Sequence, residues 1–368
     1  MRIEQFHYYL LDKFDNPKET GIGSTNELFN VISGNIAYDS LGRLKSSLEI
    51  EIEVSKYLNI DYLNDRIKLE ITIDGVTYNK GIYLITSSKR NVRGNVETRV
   101  LTCYSKLKLL DNDKTTSTYY LPKGANIYSA ITNLIGNKPY KITPTSATLN
   151  TDFIGKLEKD GERSTTIGVP KLTIINDLLD IINYNSLTVD DDGYFVSEPY
   201  VLPALRQTQI RYEEGEPRRT DSGDVCRLIT PDYDEDLDLY NVPNIFSMYT
   251  NDYAIVPPIV ATYPLQQDGQ EPITIDGREP NVYCEAVTDV ADYATLYAKC
   301  KKKASESRSV YSHLMIETAI SAKHGYMNCI GIKVNDIDNK YIETSWSMNL
   351  KAGALMKHTL RRVVDLDE

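Results

Sequence analysis

The sequence predicts a mainly β protein with an α+β insert, in which two antiparallel β regions flank a small α+β module. Three observations predict it. Leu48, Ile50, Ile52 and Val54 alternate with Glu49, Glu51, Glu53 and Ser55, and Ile67, Leu69, Ile71 and Ile73 repeat the pattern, as half-buried antiparallel strands require. In mid-chain the period changes to that of a helix, with Ile127, Ala130, Ile131, Leu134 and Ile135 on one face. From about residue 206 alternation and turn signals return. The expected units are 1–112, 113–205 and 206–368.

In the first unit, Asp74-Gly75 separates two alternating runs. That dipeptide marks a type I′ hairpin, which needs φ > 0 at both central residues. Further strands are expected near 81–88 and 95–104, and the polar stretch Asp111–Thr118 closes the unit. In the second unit, Gly136 stops the first helix. Ile175, Leu178, Leu179 and Ile182 form a second helical face, with Thr173 as candidate N-cap and Asp177 in the early turns. The charged stretch 150–169 reads as a loop. Leu187–Val189 and Tyr194–Val196 flank Asp190-Asp191-Asp192-Gly193 as a small hairpin.

The third unit offers strands at 207–212, 244–250, 254–262, 281–287, 310–319, 328–334, 340–349 and 355–364, with polar loops at 213–224 and 264–280. In its one helix Val290, Tyr293, Ala294, Tyr297 and Ala298 share a face, with Asp289 as cap. Lys299, Lys301, Lys302 and Lys303 are expected in its last turns, where cations complement the helix dipole; this favours a structural role over a nucleic-acid patch. Tyr83-Leu84-Ile85-Thr86-Ser87 precedes a strand ending Arg99-Val100. Tyr341-Ile342-Glu343-Thr344-Ser345 precedes one ending Arg362-Val363. This echo suggests two copies of one barrel.

Composition narrows the function. The 368 residues carry 41 Lys plus Arg and 52 Asp plus Glu, a net charge of −11, so phosphate gripping is a poor expectation. No apolar run reaches the ~20 residues of a membrane span, and the charged start is not a secretory signal. Cys103, Cys226, Cys284, Cys300 and Cys329 lie far apart, form no CxxC pair and suit a reducing cytoplasm. Tyr is abundant at 27, against 6 Phe and 1 Trp; strands and interfaces favour it, and AT-rich codons account for it equally.

Catalytic motifs are not found: there is no GxSxG, HExxH or GxxxxGK[ST]. Gly21-Ile22-Gly23 lacks the third glycine and the strand–helix setting of a dinucleotide site. Thr188–Gly193 lacks the first Asp and the terminal Glu of an EF-hand, so a hairpin turn is preferred. Asp232–Asp238 offers oxygens for Ca²⁺ without rigid spacing and reads as a solvated acidic loop. His7, His313, His324 and His358 are scattered and read as surface or edge-strand residues. Paired carboxylates from distant strands stay open, with no pair singled out. No cofactor or metal is expected.

The order of several blocks carries a resemblance. These are Asn59–Leu69 with Asp74-Gly75 and Gly81–Ser87, Leu121-Pro122-Lys123-Gly124-Ala125 opening a helix, Leu178–Tyr184 leading into the Asp190–Gly193 hairpin, Asn241-Val242-Pro243-Asn244, and Trp346–Met356 running into Arg361-Arg362-Val363-Val364. Together they resemble the tail and baseplate hub proteins of tailed phages. The resemblance implies two tube-like antiparallel β-barrels per chain and a homotrimer whose six barrels form a pseudo-sixfold ring around a central channel. It implies a tail tube or distal tail protein above, a tip, spike or receptor-binding protein below, a tape-measure protein as a further partner, and a virion location after synthesis in the host cytoplasm. No specific nucleic acid is implied. Acidic strand faces such as 48–55 would suit a channel that DNA passes without sticking, and they equally suit a solvated outer face. Relatives that continue into a peptidoglycan-cleaving domain depart from this chain, so no lysin activity is expected. A tail-borne cell-wall hydrolase and a host-carbohydrate-binding module remain the alternatives. The loop 264–280, with Pro264, Gln266, Gln267, Asp268, Gly269, Asp276, Gly277 and Pro280, is long for a hairpin connection and is the candidate partner contact.

Overall fold

The computed structural model describes residues 2–159, 162–215, 218–220, 223–232, 242–251, 257–267, 269–287, 289–309, 313–334, 337–364 and 366. The first unit holds β1 (Glu4–Leu11), β2 (Val31–Asp39), β3 (Ser46–Glu53), β4 (Arg66–Ile73), β5 (Val76–Arg93) and β6 (Val96–Ser105). Alternation places Leu48, Ile50 and Ile52 inside, all fully buried, and leaves Glu49 and Glu53 outside. The expected I′ turn is present: Asp74 and Gly75 have φ of 49° and 83°, and Ile73 pairs with Val76.

The module contains α1 (Leu107–Asn112), α2 (Ile127–Ile135) and α3 (Lys171–Ile181). Seven short strands accompany them: β7 (Tyr120–Leu121), β8 (Tyr140–Ile142), β9 (Phe153–Ile154), β10 (Leu157–Lys159), β11 (Glu162–Thr165), β12 (Thr188–Val189) and β13 (Phe195–Ser197). The stretch 150–169, read as a loop, therefore carries three of these strands. All five predicted apolar positions of α2 are buried, Asn126 caps it by accepting from Ser129 N at 2.8 Å, and Gly136 ends it at φ 67°. Thr173 is not the cap of α3. Pro170 occupies that position, its ring presetting φ at −59°, and the Thr173 hydroxyl accepts from Arg43 at 2.9 Å. Asp177 consequently lies in mid-helix.

The third unit has β14 (Ile210–Glu213), β15 (Arg218–Thr220), β16 (Gly223–Asp232), β17 (Ile245–Thr250), β18 (Val260–Tyr263), β19 (Val282–Val287), α4 (Tyr293–Ser309), β20 (His313–Ala319), β21 (Cys329–Val334), β22 (Ile337–Asn349) and β23 (Leu355–Arg362). The expected loop 213–224 instead holds β15 and the start of β16. Asp232 ends β16, and the rest of the acidic run to Asp238 lies outside the described residues. So does the first part of the strand expected at 254–262.

The two β regions share one strand order. In the first, neighbours run β1-β4-β5-β6-β3-β2, and the lead-in to β2 returns to β1 through the Tyr9–Glu27 bridge. In the second they run β14-β21-β22-β23-β20-β16, and β16 returns to β14. Numbered over only the six strands of each circuit, with β15 and the separate β17–β19 sheet left out, both read 1-4-5-6-3-2. One difference is polarity: β14 runs parallel to β21, whereas β1 runs antiparallel to β4.

The Tyr-x-x-Thr-Ser echo falls on equivalent strands, β5 and β22. Tyr83 faces Ile67 and Tyr341 faces Ile330. A bulge interrupts the ladder at Thr86 in one copy and at Thr344 in the other. Each extra threonine is held by its own hydroxyl, which donates to Thr102 O at 2.8 Å or to Thr359 O at 3.1 Å. The Arg-Val half of the echo does not align, because the same register makes Val100 equivalent to Lys357 rather than to Val363.

The β2–β22 ladder fuses the two circuits, and Tyr38 stacks on Trp346 there at 5.6 Å. The module docks through its Asp190–Gly193 turn. Asp191 meets the buried Lys80 at 3.4 Å and Asp192 accepts from Asn79 at 2.6 Å, while Asp190 holds the turn to the module's own Lys141 at 2.7 Å.

Candidate functional site

The loop 264–280 leaves β18 and returns to β19 beside α4. Its tip is closed by Gln266, whose amide nitrogen donates to Pro264 O and Ile273 O at 2.8 Å each, while its oxygen accepts from Ile273 N at 3.0 Å. Its base is closed by Asp276. That carboxylate accepts from Arg278 Nη2 at 2.7 Å, Asn244 Nδ2 at 3.0 Å and Arg308 Nη1 of α4 at 3.3 Å. Burial alone would raise the Asp276 pKa, but the hydrogen bonds from Arg278 and Asn244 and the Arg278 charge outweigh it and hold the carboxyl at about 2. Gly269 and Gly277 adopt φ of 74° and 67°. Gln267 accepts from Gln270 N at 3.3 Å, Pro280 is exposed, and Asp268 lies outside the described residues. Pro264, half-buried, follows a cis peptide bond. Exposed Leu265 and Ile273 leave an apolar surface on a loop whose own side chains fix its shape.

α4 differs from its expected form. Leu296, Cys300 and Ala304 are its buried face, packed on Phe246, Met248, Ala261 and Tyr263, while Tyr293 is 47% exposed. Asp292, not Asp289, caps it, accepting from Thr295 N at 2.7 Å. Asp289 instead ties this unit to the module by accepting from Asn150 N at 3.0 Å and Thr151 N at 3.3 Å. Because α4 continues to Ser309, the lysines lie in mid-helix and the dipole argument for them fails. They are individually engaged: Lys299 pairs with Asp180 at 2.6 Å, Lys301 lies over Tyr263, Lys302 over Tyr200 and Lys303 over Tyr283.

A groove crosses the joint between the circuits on their outer face. One cross-strand row runs Tyr104, Ser47, Ala37, Ser347, Lys357, Glu317, from β6 through β22 to β20.

The reading of the histidines as scattered surface residues is overturned for His324 and His358. His7 sits beside Glu27 at 2.7 Å, but His324 and His358 converge on Glu343 in the interior of the second circuit. Glu343 Oε1 lies 2.6 Å from His358 Nδ1, and Oε2 lies 2.8 Å from His324 Nδ1. His324 Nε2 meets the Tyr212 hydroxyl at 2.8 Å, and His358 Nε2 meets Thr318 Oγ1 at 2.7 Å. The side chains of all three titratable residues are 0% exposed. Burial, helped by the Lys80 charge, pushes the His324 imidazole down to about 3; burial also lowers His358 and raises Glu343. Among the described residues this is the one group of His, Cys, Asp and Glu with metal-binding spacing. Sealed from solvent, it cannot meet a polymeric substrate. Spacing hid it, since the residues come from a loop and two strands, but the echo contained a signal: Glu343 stands where the first copy has Ile85.

No protein-family model matches the chain, and no curated protein matches it in sequence. Solved structures do match in fold. The tail protein from Neisseria meningitidis MC58 aligns with a TM-score of 0.60 at 12% identity, covering 98% of this chain and 97% of that one. The 43 kDa tail protein of prophage MuSo2 from Shewanella oneidensis aligns at 0.59 and 10% identity, covering 99% of each. Prophage tail protein gp18 from Listeria monocytogenes EGD-e aligns at 0.52 and 12% identity, covering 96% and 94%. The chain thus has the fold of prophage tail proteins over nearly its whole length.

Proposed function

We propose that the chain is a structural hub of a phage tail tip or baseplate, or of a tail-derived bacteriocin. Three copies build a pseudo-sixfold ring that joins tail tube to tip and leaves a central channel. The observation that carries this reading is the pair of six-strand circuits with one strand order, fused side by side through β2 and β22. Two like barrels per chain let a trimer present six similar units to a sixfold tube. The units 1–112, 113–205 and 206–368 serve as barrel, outer module and barrel. The row Glu49, Glu51, Glu53 points outward from the first circuit, where it would line a channel that repels DNA. A tail tube or distal tail protein above, a tip or receptor-binding protein below and a tape-measure protein are the partners of this reading. It assigns no catalytic step, in keeping with the sealed setting of the histidine cluster.

Light scattering and negative-stain imaging of the purified chain test it. Threefold rings with a central hole are expected. A monomer at all concentrations, with no ring formed alone or on tail tubes, overturns it. Release of murein fragments, abolished by one point substitution, would favour the hydrolase instead.

A further inference from the structure

The second circuit departs from its own repeat at two interior positions. Register equates Glu343 with Ile85 and His358 with Leu101, both apolar and buried in the first circuit. Putting a carboxylate and an imidazole where a barrel core accepts Ile and Leu is costly unless something repays the desolvation. His324 adds a third polar group from the β20–β21 connection.

The outer hydrogen bonds can be satisfied with both rings protonated on Nε2. Thr318 has one hydroxyl proton, and Ala319 O, which only accepts, lies 3.1 Å from it. With that proton on the carbonyl, the Thr318 oxygen accepts from His358 Nε2–H. The Tyr212 hydroxyl reaches Thr318 as well and accepts from His324 Nε2–H. Both Nδ1 atoms then turn lone pairs toward the Glu343 carboxylate, and the three donor atoms lie within 4.8 Å of one another. In that tautomer the converging electron pairs need a cation between them, either a metal ion or shared protons. Outer nitrogens held by hydroxyls while inner ones face a carboxylate is also how metal-binding imidazoles are oriented.

We propose that His324, Glu343 and His358 bind one divalent transition-metal ion, with Zn²⁺ the best match to two imidazoles and a carboxylate. Two nitrogens and both carboxylate oxygens supply four donors, and the absence of an open position makes the site structural. Bond lengths of about 2.0–2.1 Å would spread the present contacts of 2.6–2.9 Å by a few tenths of an ångström. The charges around it are Glu343 within the site and Lys80, which donates to His324 O at 2.6 Å and pairs with Asp191. The ion staples the β20–β21 connection to β22 and β23.

The test is elemental analysis of the full chain purified without chelator from zinc-supplemented cells, and absorption spectra after exchange into Co²⁺. About one zinc per chain and a tetrahedral Co²⁺ band are expected. The double variant Glu343→Ile with His358→Leu restores the apolar pair of the first circuit. It should fold, with metal content at least tenfold lower and no Co²⁺ band; His324→Gln should lose the band too. A folded wild-type chain with neither zinc nor a Co²⁺ band overturns the proposal and leaves the cluster held by protons. Equal metal in wild type and double variant, marking adventitious binding elsewhere, overturns it equally.

Discussion

Asp276 shows how much one carboxylate can organise. It joins the base of the long loop to Asn244, which is fully buried, and to Arg308 of α4. Its folded pKa of about 2 lies below the ordinary ~3.9 of an unfolded Asp, so its contribution is complete above that value and disappears as pH falls through about 2. The stabilisation is about 2 kcal/mol. Asp276→Asn should flatten the stability profile between roughly pH 4 and pH 2 relative to wild type, measured by urea unfolding at a series of pH values. Identical slopes in that window would count against the assignment. The sequence places Asp276 in the candidate loop beside its near partner Arg278, but its other two partners, Asn244 just before β17 and Arg308 of α4, lie 32 residues away on either side and leave no local pattern.

At the scale of elements, Asp292 takes the capping role that the sequence suggests for Asp289. Both are short acidic residues before an apolar helical face, and helix-start signals do not distinguish residues three apart. Asp292→Ala should cost about 1 kcal/mol, the usual value of an N-cap. Asp289→Ala leaves the Asn150 and Thr151 amides without their acceptor and should cost roughly 1–3 kcal/mol. Hydrogen exchange separates the two: Asp289→Ala should deprotect residues near 150, and Asp292→Ala should not. β3 and β4 were readable because each keeps one polar face, whereas β16, Gly223-Asp224-Val225-Cys226-Arg227-Leu228-Ile229-Thr230-Pro231-Asp232, lacks alternation and contains a proline. If the proposed hub role holds, the loop 264–280 docks on a neighbouring subunit or tip protein. Replacing 266–279 with a short Gly-Ser linker removes the Asp276 anchor and lowers stability around α4, but should leave both strand circuits folded and abolish tail-tip assembly; normal assembly and infectivity would leave the loop as surface.

For the whole molecule, the decisive element is β22, a strand of the second circuit that pairs with β2 and contributes to both cores. Its first half holds Tyr341 in the second core. After the Thr344 bulge, Trp346 and Met348 join the first core, together with Leu350 and Met356. The echo made the repeat visible from sequence, yet it gave no hint that one strand pairs with β2 on one side and β23 on the other, because sharing an edge is a property of assembly in three dimensions. Such sharing predicts coupled stability. Trp346 is 3% exposed, stacks on Tyr38 and lies under the Lys80 ammonium at 5.3 Å, so Trp346→Ala should cost about 3–5 kcal/mol. If the circuits were separate domains, that loss would fall on the first alone and leave β21 and β23 protected. With β22 in common, amides of β4 and β5 and those of β21 and β23 should lose hydrogen-exchange protection together, in one denaturant transition. Two transitions, with the second circuit unmoved by the substitution, would show that the circuits are joined without being coupled.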